Sequence, residues 1–175
     1  GPQLISFIIL LFQKVMKAFS NNPYSDGARR SLMLLKKLEN DEFLKPDIIS
    51  YNSCLHAFAK DRDPMSAQFL LDRMENMYSN GNNVKPDTYS YNTVISAWAF
   101  CGRSYGAVIA ETIFDRMETS QIRLDTTTFN TLLSAWGLQN DPERANDILK
   151  HMFSVKKSGQ YDVRPTSQSF AIVMN

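Results

Sequence analysis

The stretch Lys45-Pro46-Asp47-Ile48-Ile49-Ser50-Tyr51-Asn52-Ser53 decides the fold, because it comes back. Its centre, Ser50-Tyr51-Asn52-Ser53, returns as Ser90-Tyr91-Asn92-Thr93 and again as Thr128-Phe129-Asn130-Thr131. Each copy is followed by a small residue and an aromatic one: Ala57-Phe58, Ala97-Trp98 and Ala135-Trp136. A weaker copy stands upstream, Phe12-Gln13 with Ala18-Phe19, and a cut-off copy downstream, Ser169-Phe170-Ala171. The aromatic anchors Phe12, Tyr51, Tyr91, Phe129 and Phe170 are 39, 40, 38 and 41 residues apart. A fixed period of this size predicts a stacked array rather than one globular core.

Within each period the apolar residues mark two helices. Tyr51, Cys54, Leu55 and Phe58 fall at i, i+3, i+4 and i+7, as do Tyr91, Val94, Ile95, Trp98 and Phe129, Leu132, Leu133, Trp136. That is one apolar face at the helical period. A second stripe follows: Ala67, Leu70, Leu71, Met74, then Ala110, Ile113, Phe114, Met117, then Ala145, Ile148, Leu149, Met152. The small alanines let paired helices approach closely, and the larger side chains fill the space between repeats. One such hairpin cannot cover its own apolar face, so neighbours must stack. The fold expected is all-α, an α-solenoid of helix–turn–helix repeats in a right-handed superhelix. Trp98 and Trp136 are expected between helices.

The punctuation agrees with this division. Lys45-Pro46-Asp47, Lys85-Pro86-Asp87, Leu124-Asp125 and Arg164-Pro165-Thr166 precede first helices, where Pro stops one element and Asp or Thr caps the next. Asp63-Pro64 and Asp141-Pro142 open second helices with a cap and a first-turn Pro. Gly102-Arg103-Ser104-Tyr105-Gly106 makes the corresponding turn in the middle repeat. There the anchor lies 19 residues before the stripe's Ala, against 16 in the flanking repeats, so three extra residues are expected at that hairpin. The array is placed at 3–175, with repeats at 9–47, 48–87, 88–125 and 126–166 and a truncated repeat at 167–175. Gly1-Pro2 is taken as the remnant of a protease site.

Composition narrows the function. The 175 residues are 43% hydrophobic and 21% charged, enough to bury a core. Nineteen Lys and Arg against 18 Asp and Glu leave a net charge of +1. Polyanion binding by bulk charge is excluded, and a local basic patch is not. Seven Gly and seven Pro are too few for a low-complexity linker. Cys54 and Cys101 make no disulfide framework and suit a reducing compartment. The apolar run Leu4–Phe12 is too short to span a membrane.

Pro-Asp, two residues, Ser/Thr-Tyr-Asn-Thr, then Ala, and a late Ala…Met resemble the pentatricopeptide repeat. The resemblance covers residues 12–175. It is specific in three repeats, loose in the first and cut off in the last. Tetratricopeptide repeats share the architecture, but their Trp…Leu-Gly…Tyr signature is absent. The resemblance implies one RNA base read per repeat. It implies that the residue after the anchor works with the residue at the Pro-Asp position that closes the repeat. The pairs are then Asn52 with Asp87, Asn92 with Asp125 and Asn130 with Thr166, with Gln13 and Asp47 in the loose repeat. Asn with Asp resembles the uridine-favouring pair, Asn with Thr suggests a pyrimidine, and a hydroxyl in place of Asn goes with purines. Ile49, Tyr89, Thr127 and Gln168 occupy the places that clamp bases. Lys60 alone holds the backbone-facing lysine position, where Phe100 and Leu138 stand in the next repeats. A mitochondrion or plastid follows from the resemblance only, no transit segment being visible.

The residue chemistry fits such a role. An Asn amide both donates and accepts, and a neighbouring carboxylate can orient it. Asn52 and His56, Asn92 and Ser96, Asn130 and Ser134 are i, i+4 pairs one residue off the apolar stripe. The competing assignment is a protein-binding solenoid anchored by Tyr89, Trp98, Phe100 and Leu138 if these are exposed. No catalytic residue, metal site or cofactor is expected. Cys54 and His56 point to different helix faces, Asp61 and Asp63 suit a turn and a cap, and no phosphate loop or nucleophile elbow is present. The ends Leu4–Phe12 and Thr166–Asn175 each carry an apolar face lacking its next neighbour, so self-association there is expected.

Overall fold

The computed structural model describes residues 2–21, 26–159 and 161–174. Among them are nine α-helices and no strand. The helices are α1 (Pro2–Asn21), α2 (Gly27–Asn40), α3 (Ile48–Lys60), α4 (Pro64–Ser79), α5 (Thr88–Ala99), α6 (Gly106–Thr119), α7 (Thr126–Leu138), α8 (Pro142–Ser158) and α9 (Ser167–Met174). They form two compact units, Gly1–Pro86 and Asp87–Asn175.

In the first unit α1 and α3 lie side by side, α2 packs on both, and α4 packs on α3. In the second, the first helices α5, α7 and α9 form a row, each in contact with the next. Helix α6 packs on α5 and α7, and α8 on α7 and α9. The apolar stripes read from the sequence are the cores of these stacks. Tyr51, Cys54 and Leu55 are fully buried in one, and Val94, Ile95, Phe129, Leu132 and Leu133 in the other. Burial pushes the Cys54 thiol up to about 12, so it is an inert small hydrophobe.

The turns explain why each helix stops where it does. Asp47, Asp63, Asp87, Asp125 and Asp141 each accept a backbone N–H three residues on, capping α3, α4, α5, α7 and α8. At the end of α3, Arg62 donates its N–H to the Ala59 carbonyl and Asp63 donates to Phe58. This is a Schellman closure, and the residue that finishes it is also the cap of α4. The α7–α8 turn repeats it, Asn140 donating to Gly137 and Asp141 to Trp136. Arg62 and Asn140 take the left-handed conformation such a closure requires, with φ of 55° and 54°. The middle hairpin is built differently. Residues 100–105 separate α5 from α6, against 61–63 and 139–141 elsewhere, so the three expected extra residues are there. Gly106 then starts α6 so close to α5 that a Cβ would lie 2.5 Å from the Trp98 carbonyl oxygen.

Two tryptophans expected in equivalent settings differ. Trp98 is 3% exposed, and its indole N–H has no partner among the described residues. Trp136 is only half-buried, correcting the expectation that it lies wholly between helices. Its Nε1 donates to Glu111 Oε2 at 2.9 Å, and Arg144 grips the same carboxylate from α8 with Nε at 3.1 Å and a terminal nitrogen at 2.5 Å. Glu111 is itself buried, so the indole N–H and the Arg144 guanidinium together satisfy a carboxylate held out of water. In the first unit a similar pin joins three helices: the Tyr51 hydroxyl donates to Glu39 at 2.9 Å, and Arg73 meets the same oxygen at 2.8 Å. The run Leu4–Phe12 lies within α1, where Phe7, Leu10 and Leu11 are exposed. No helix among the described residues is long and apolar enough to cross a membrane.

Candidate nucleic-acid interface

The first helices carry the polar residues singled out by the repeat pattern. On α3, Ile49, Asn52, His56 and Lys60 fall at i, i+3, i+7 and i+11, which is one face one step off the buried stripe. On α5 the same places hold Tyr89, Asn92 and Ser96, with Phe100 at its C-cap, and on α7 Thr127, Asn130, Ser134 and Leu138.

The structure brings three of the four expected pairs together, two directly and one through a third residue. Gln13 of α1 donates its amide N–H groups to both oxygens of Asp47, each at 2.9 Å. The same carboxylate caps α3 through the Ser50 N–H at 3.0 Å and accepts the Ser50 hydroxyl at 2.8 Å. Asn92 Nδ2 lies 3.2 and 3.4 Å from the oxygens of Asp125. Asn130 and Thr166 meet only through Ser169, whose Oγ donates to Asn130 Oδ1 at 2.6 Å and stands 3.3 Å from Thr166 Oγ1. The fourth pair divides between the units: Asn52 is 9% exposed on α3, and Asp87 caps α5. The alternative assignment of these residues, as helix caps and ordinary helix positions, is therefore compatible with the first. One carboxylate caps a helix and holds an amide at once, its capping Oδ1 taking part in both.

The flanking positions are open to solvent. Ile49 is 53% exposed, Tyr89 51%, Phe100 49% and Leu138 63%, and Thr127 and Gln168 are also exposed. Trp98 is buried and is no surface anchor.

Charge is distributed unevenly along this face. Burial holds the His56 imidazole below its ordinary value, and the nearby charges of Lys60 and Lys17 push it the same way. Lys17 stands four residues after Gln13 on α1, as His56 does after Asn52 on α3. It was not picked out from the sequence, although the Gln13 register would have found it. A second series was also missed. Lys45, Lys85, Arg123 and Arg164 each stand two residues before the closing Asp or Thr of a repeat, and all four are exposed. Their spacing of 40, 38 and 41 residues is the signal. The backbones of the last two are tied to first helices: the Thr88 hydroxyl donates to the Arg123 carbonyl at 2.7 Å, and the Arg164 N–H donates to Thr126 Oγ1 at 3.0 Å.

Comparison with known proteins places this arrangement. No curated protein matches the chain. Among solved structures it is similar to the pentatricopeptide repeat protein PPR10 from maize, with a TM-score of 0.75 and 21% identity over 94% of this chain and 21% of that one. It is similar also to PPR10 in complex with an 18-nt psaJ RNA element, with a TM-score of 0.72 and 21% identity over 94% of this chain. The chain thus spans about a fifth of the length of those proteins, and at this identity the likeness establishes the helical-repeat solenoid fold. The family model for the pentatricopeptide repeat domain matches residues 33–100 and 112–175, most of the sequence, and with the repeated Asn, the capping Asp and the paired helices it shows that the chain belongs to the pentatricopeptide repeat family.

Proposed function

We propose that this chain binds single-stranded RNA along its first helices, one base per repeat, with a preference for uridine and other pyrimidines. The observation that carries the proposal is the meeting of the Asn92 amide with Asp125, 33 residues away, beside the exposed ring of Tyr89. Uracil presents an N–H between two carbonyl oxygens, and an amide held by a carboxylate keeps one donor and one acceptor to meet that edge. Asn92 with Asp125 and Asn52 with Asp87 are the uridine positions, Asn130 with Thr166 the following pyrimidine, and Gln13 with Asp47 a fourth position. Tyr89, Ile49, Thr127 and Gln168 sandwich bases; stacking on an aromatic platform such as Tyr89 is worth roughly 1–3 kcal/mol. Lys60 and Lys17, with the series Lys45, Lys85, Arg123 and Arg164, face phosphates. The RNA runs 5′ to 3′ along the repeats, and its role is in RNA processing or stability in a mitochondrion or plastid. PPR10, of the same fold and family, is known in complex with RNA, which supports this assignment. No enzymatic step is proposed.

One further observation favours a second assignment. Phe100 and Leu138, where the family places lysine, are exposed and apolar, which suits a peptide or partner helix. Titration of short homopolymer RNAs at two salt concentrations separates the two. The RNA proposal expects oligouridine to bind at micromolar affinity or weaker, about −8 kcal/mol at most, and to weaken steeply with salt. Asn92→Thr is expected to move one position toward a purine. Binding indifferent to RNA sequence and salt would overturn the proposal in favour of the protein partner.

A further inference from the structure

We propose that the hydroxyls of Thr128 and Ser169 are positioning groups that fix which way round the amides of Asn92 and Asn130 face the base. The inference rests on the reading of bases by these amides. Thr128 and Ser169 are the residues before the aromatic anchors, and both are fully buried. Each reaches back to the asparagine of the preceding repeat: Thr128 Oγ1 lies 2.7 Å from Asn92 Oδ1, and Ser169 Oγ 2.6 Å from Asn130 Oδ1.

A hydroxyl has one proton to give. At Thr128 two acceptors compete for it, Asn92 Oδ1 at 2.7 Å and Asp125 Oδ1 at 2.9 Å. Asp125 Oδ1 already receives the Thr128 N–H at 2.8 Å and Asn92 Nδ2 at 3.2 Å. The shorter contact to the less supplied acceptor takes the proton. Asp125 N–H in turn donates to Thr128 Oγ1 at 3.3 Å. A closed ring results: amide nitrogen to carboxylate, Asp125 backbone to hydroxyl, hydroxyl to amide oxygen. Turning the amide over would set its oxygen against the carboxylate and break the ring.

At Asn130 the carboxylate is replaced by Thr166. The Thr166 N–H donates to Ser169 Oγ at 3.0 Å, again leaving the hydroxyl proton for the amide oxygen. The buried hydroxyl is thus the member common to both repeats, while the closing residue changes from Asp to Thr. The Asn92 amide is held from two sides, and the Asn130 amide chiefly by its hydroxyl.

The test uses the full chain and a set of short uridine-rich RNAs in which each position in turn is changed to cytidine or adenosine. Thr128→Val is expected to lower base preference at one position about fivefold, the scale of one net hydrogen bond. Thr128→Ser, which keeps the hydroxyl, restores it. Ser169→Ala is expected to lower preference at the adjoining position by more, and Ser169→Thr to restore it. In the RNA-free protein, the Asn92 side-chain NH₂ resonances, sharp in the wild type, are expected to broaden in Thr128→Val. Melting curves check that each variant folds, and should Thr128→Val fail to fold, the Ser169 pair carries the same comparison. Base preference unchanged in the folded variants, with all RNAs weakened equally, would overturn the inference and leave the hydroxyls as helix caps. Absence of base preference in the wild type would overturn base reading itself, and this inference with it.

Discussion

Asp125 joins helix capping to the base reading proposed above. Its Oδ1 accepts the Thr128 N–H as an N-cap, and the same carboxylate holds Asn92. Substitution can separate the two duties. Asn caps a helix about as well as Asp, so Asp125→Asn is expected to change stability by less than about 0.5 kcal/mol, whereas Asp125→Ala loses about 1 kcal/mol. The Asn variant nevertheless removes the charge that orients the amide, so base preference at that position is expected to change in an RNA titration while the melting temperature stays put. His56 carries a pH prediction. Burial, and after it Lys60 and Lys17, keep its folded-state value below its ordinary 6.5. Between the two values the unfolded chain binds more protons than the folded one, so stability rises with pH there. Urea titrations are expected to show stability falling as pH drops below about 6.5, where the unfolded imidazole charges, and His56→Gln is expected to flatten that part of the curve.

At the scale of elements, α3, α4, α5, α7 and α8 were legible because each carries its own apolar stripe and its own Asp cap. The 3.6-residue pattern from Tyr91 to Trp98 and the Asp-Pro starts of α4 and α8 needed no tertiary information. The difference between the tryptophans was not legible, because it depends on Glu111 and Arg144, one on the preceding hairpin and the other on the helix after Trp136. Trp98→Ala is accordingly expected to cost about 3–5 kcal/mol, as for a large buried ring. Trp136→Ala is expected to cost less, about 1–3 kcal/mol, by losing partial burial and one hydrogen bond to Glu111. Chemical denaturation checks both, and equal losses would mean that the half-exposed ring bears as much as the buried one. The Schellman closures give the opposite sign. Arg62 sits at φ 55° with a side chain that this conformation disfavours by roughly 1–2 kcal/mol. Arg62→Gly relieves that strain and adds some unfolded-state entropy, so a net gain of about 0.5–1 kcal/mol is expected.

For the molecule as a whole, the repeat period revealed the family and most of the face, since Asn and Asp recur with the anchors. What the period concealed is how the pairs are joined. Asn130 and Thr166 occupy equivalent places to Asn92 and Asp125 yet communicate through Ser169, because a Thr side chain is shorter than a carboxylate's reach. Apolar surface at α1 is the other feature of this scale. Phe7, Leu10, Leu11 and Val15 are exposed together on that helix, and a contiguous exposed apolar patch promotes association. Light scattering is expected to show mass rising with concentration, and Leu11→Lys to suppress the rise; a monomer at high concentration in the unaltered chain would count against it. The six-residue connection at 100–105 has a practical consequence. It leaves α5 at the end away from Asn92, about 10 Å along the axis at 1.5 Å per residue, and a Cβ added at Gly102 would meet no atom within 4 Å. A repeat can therefore grow there without shifting its amide, and a fluorophore attached at the exposed Ser104 is expected to report on RNA binding without touching Asn92.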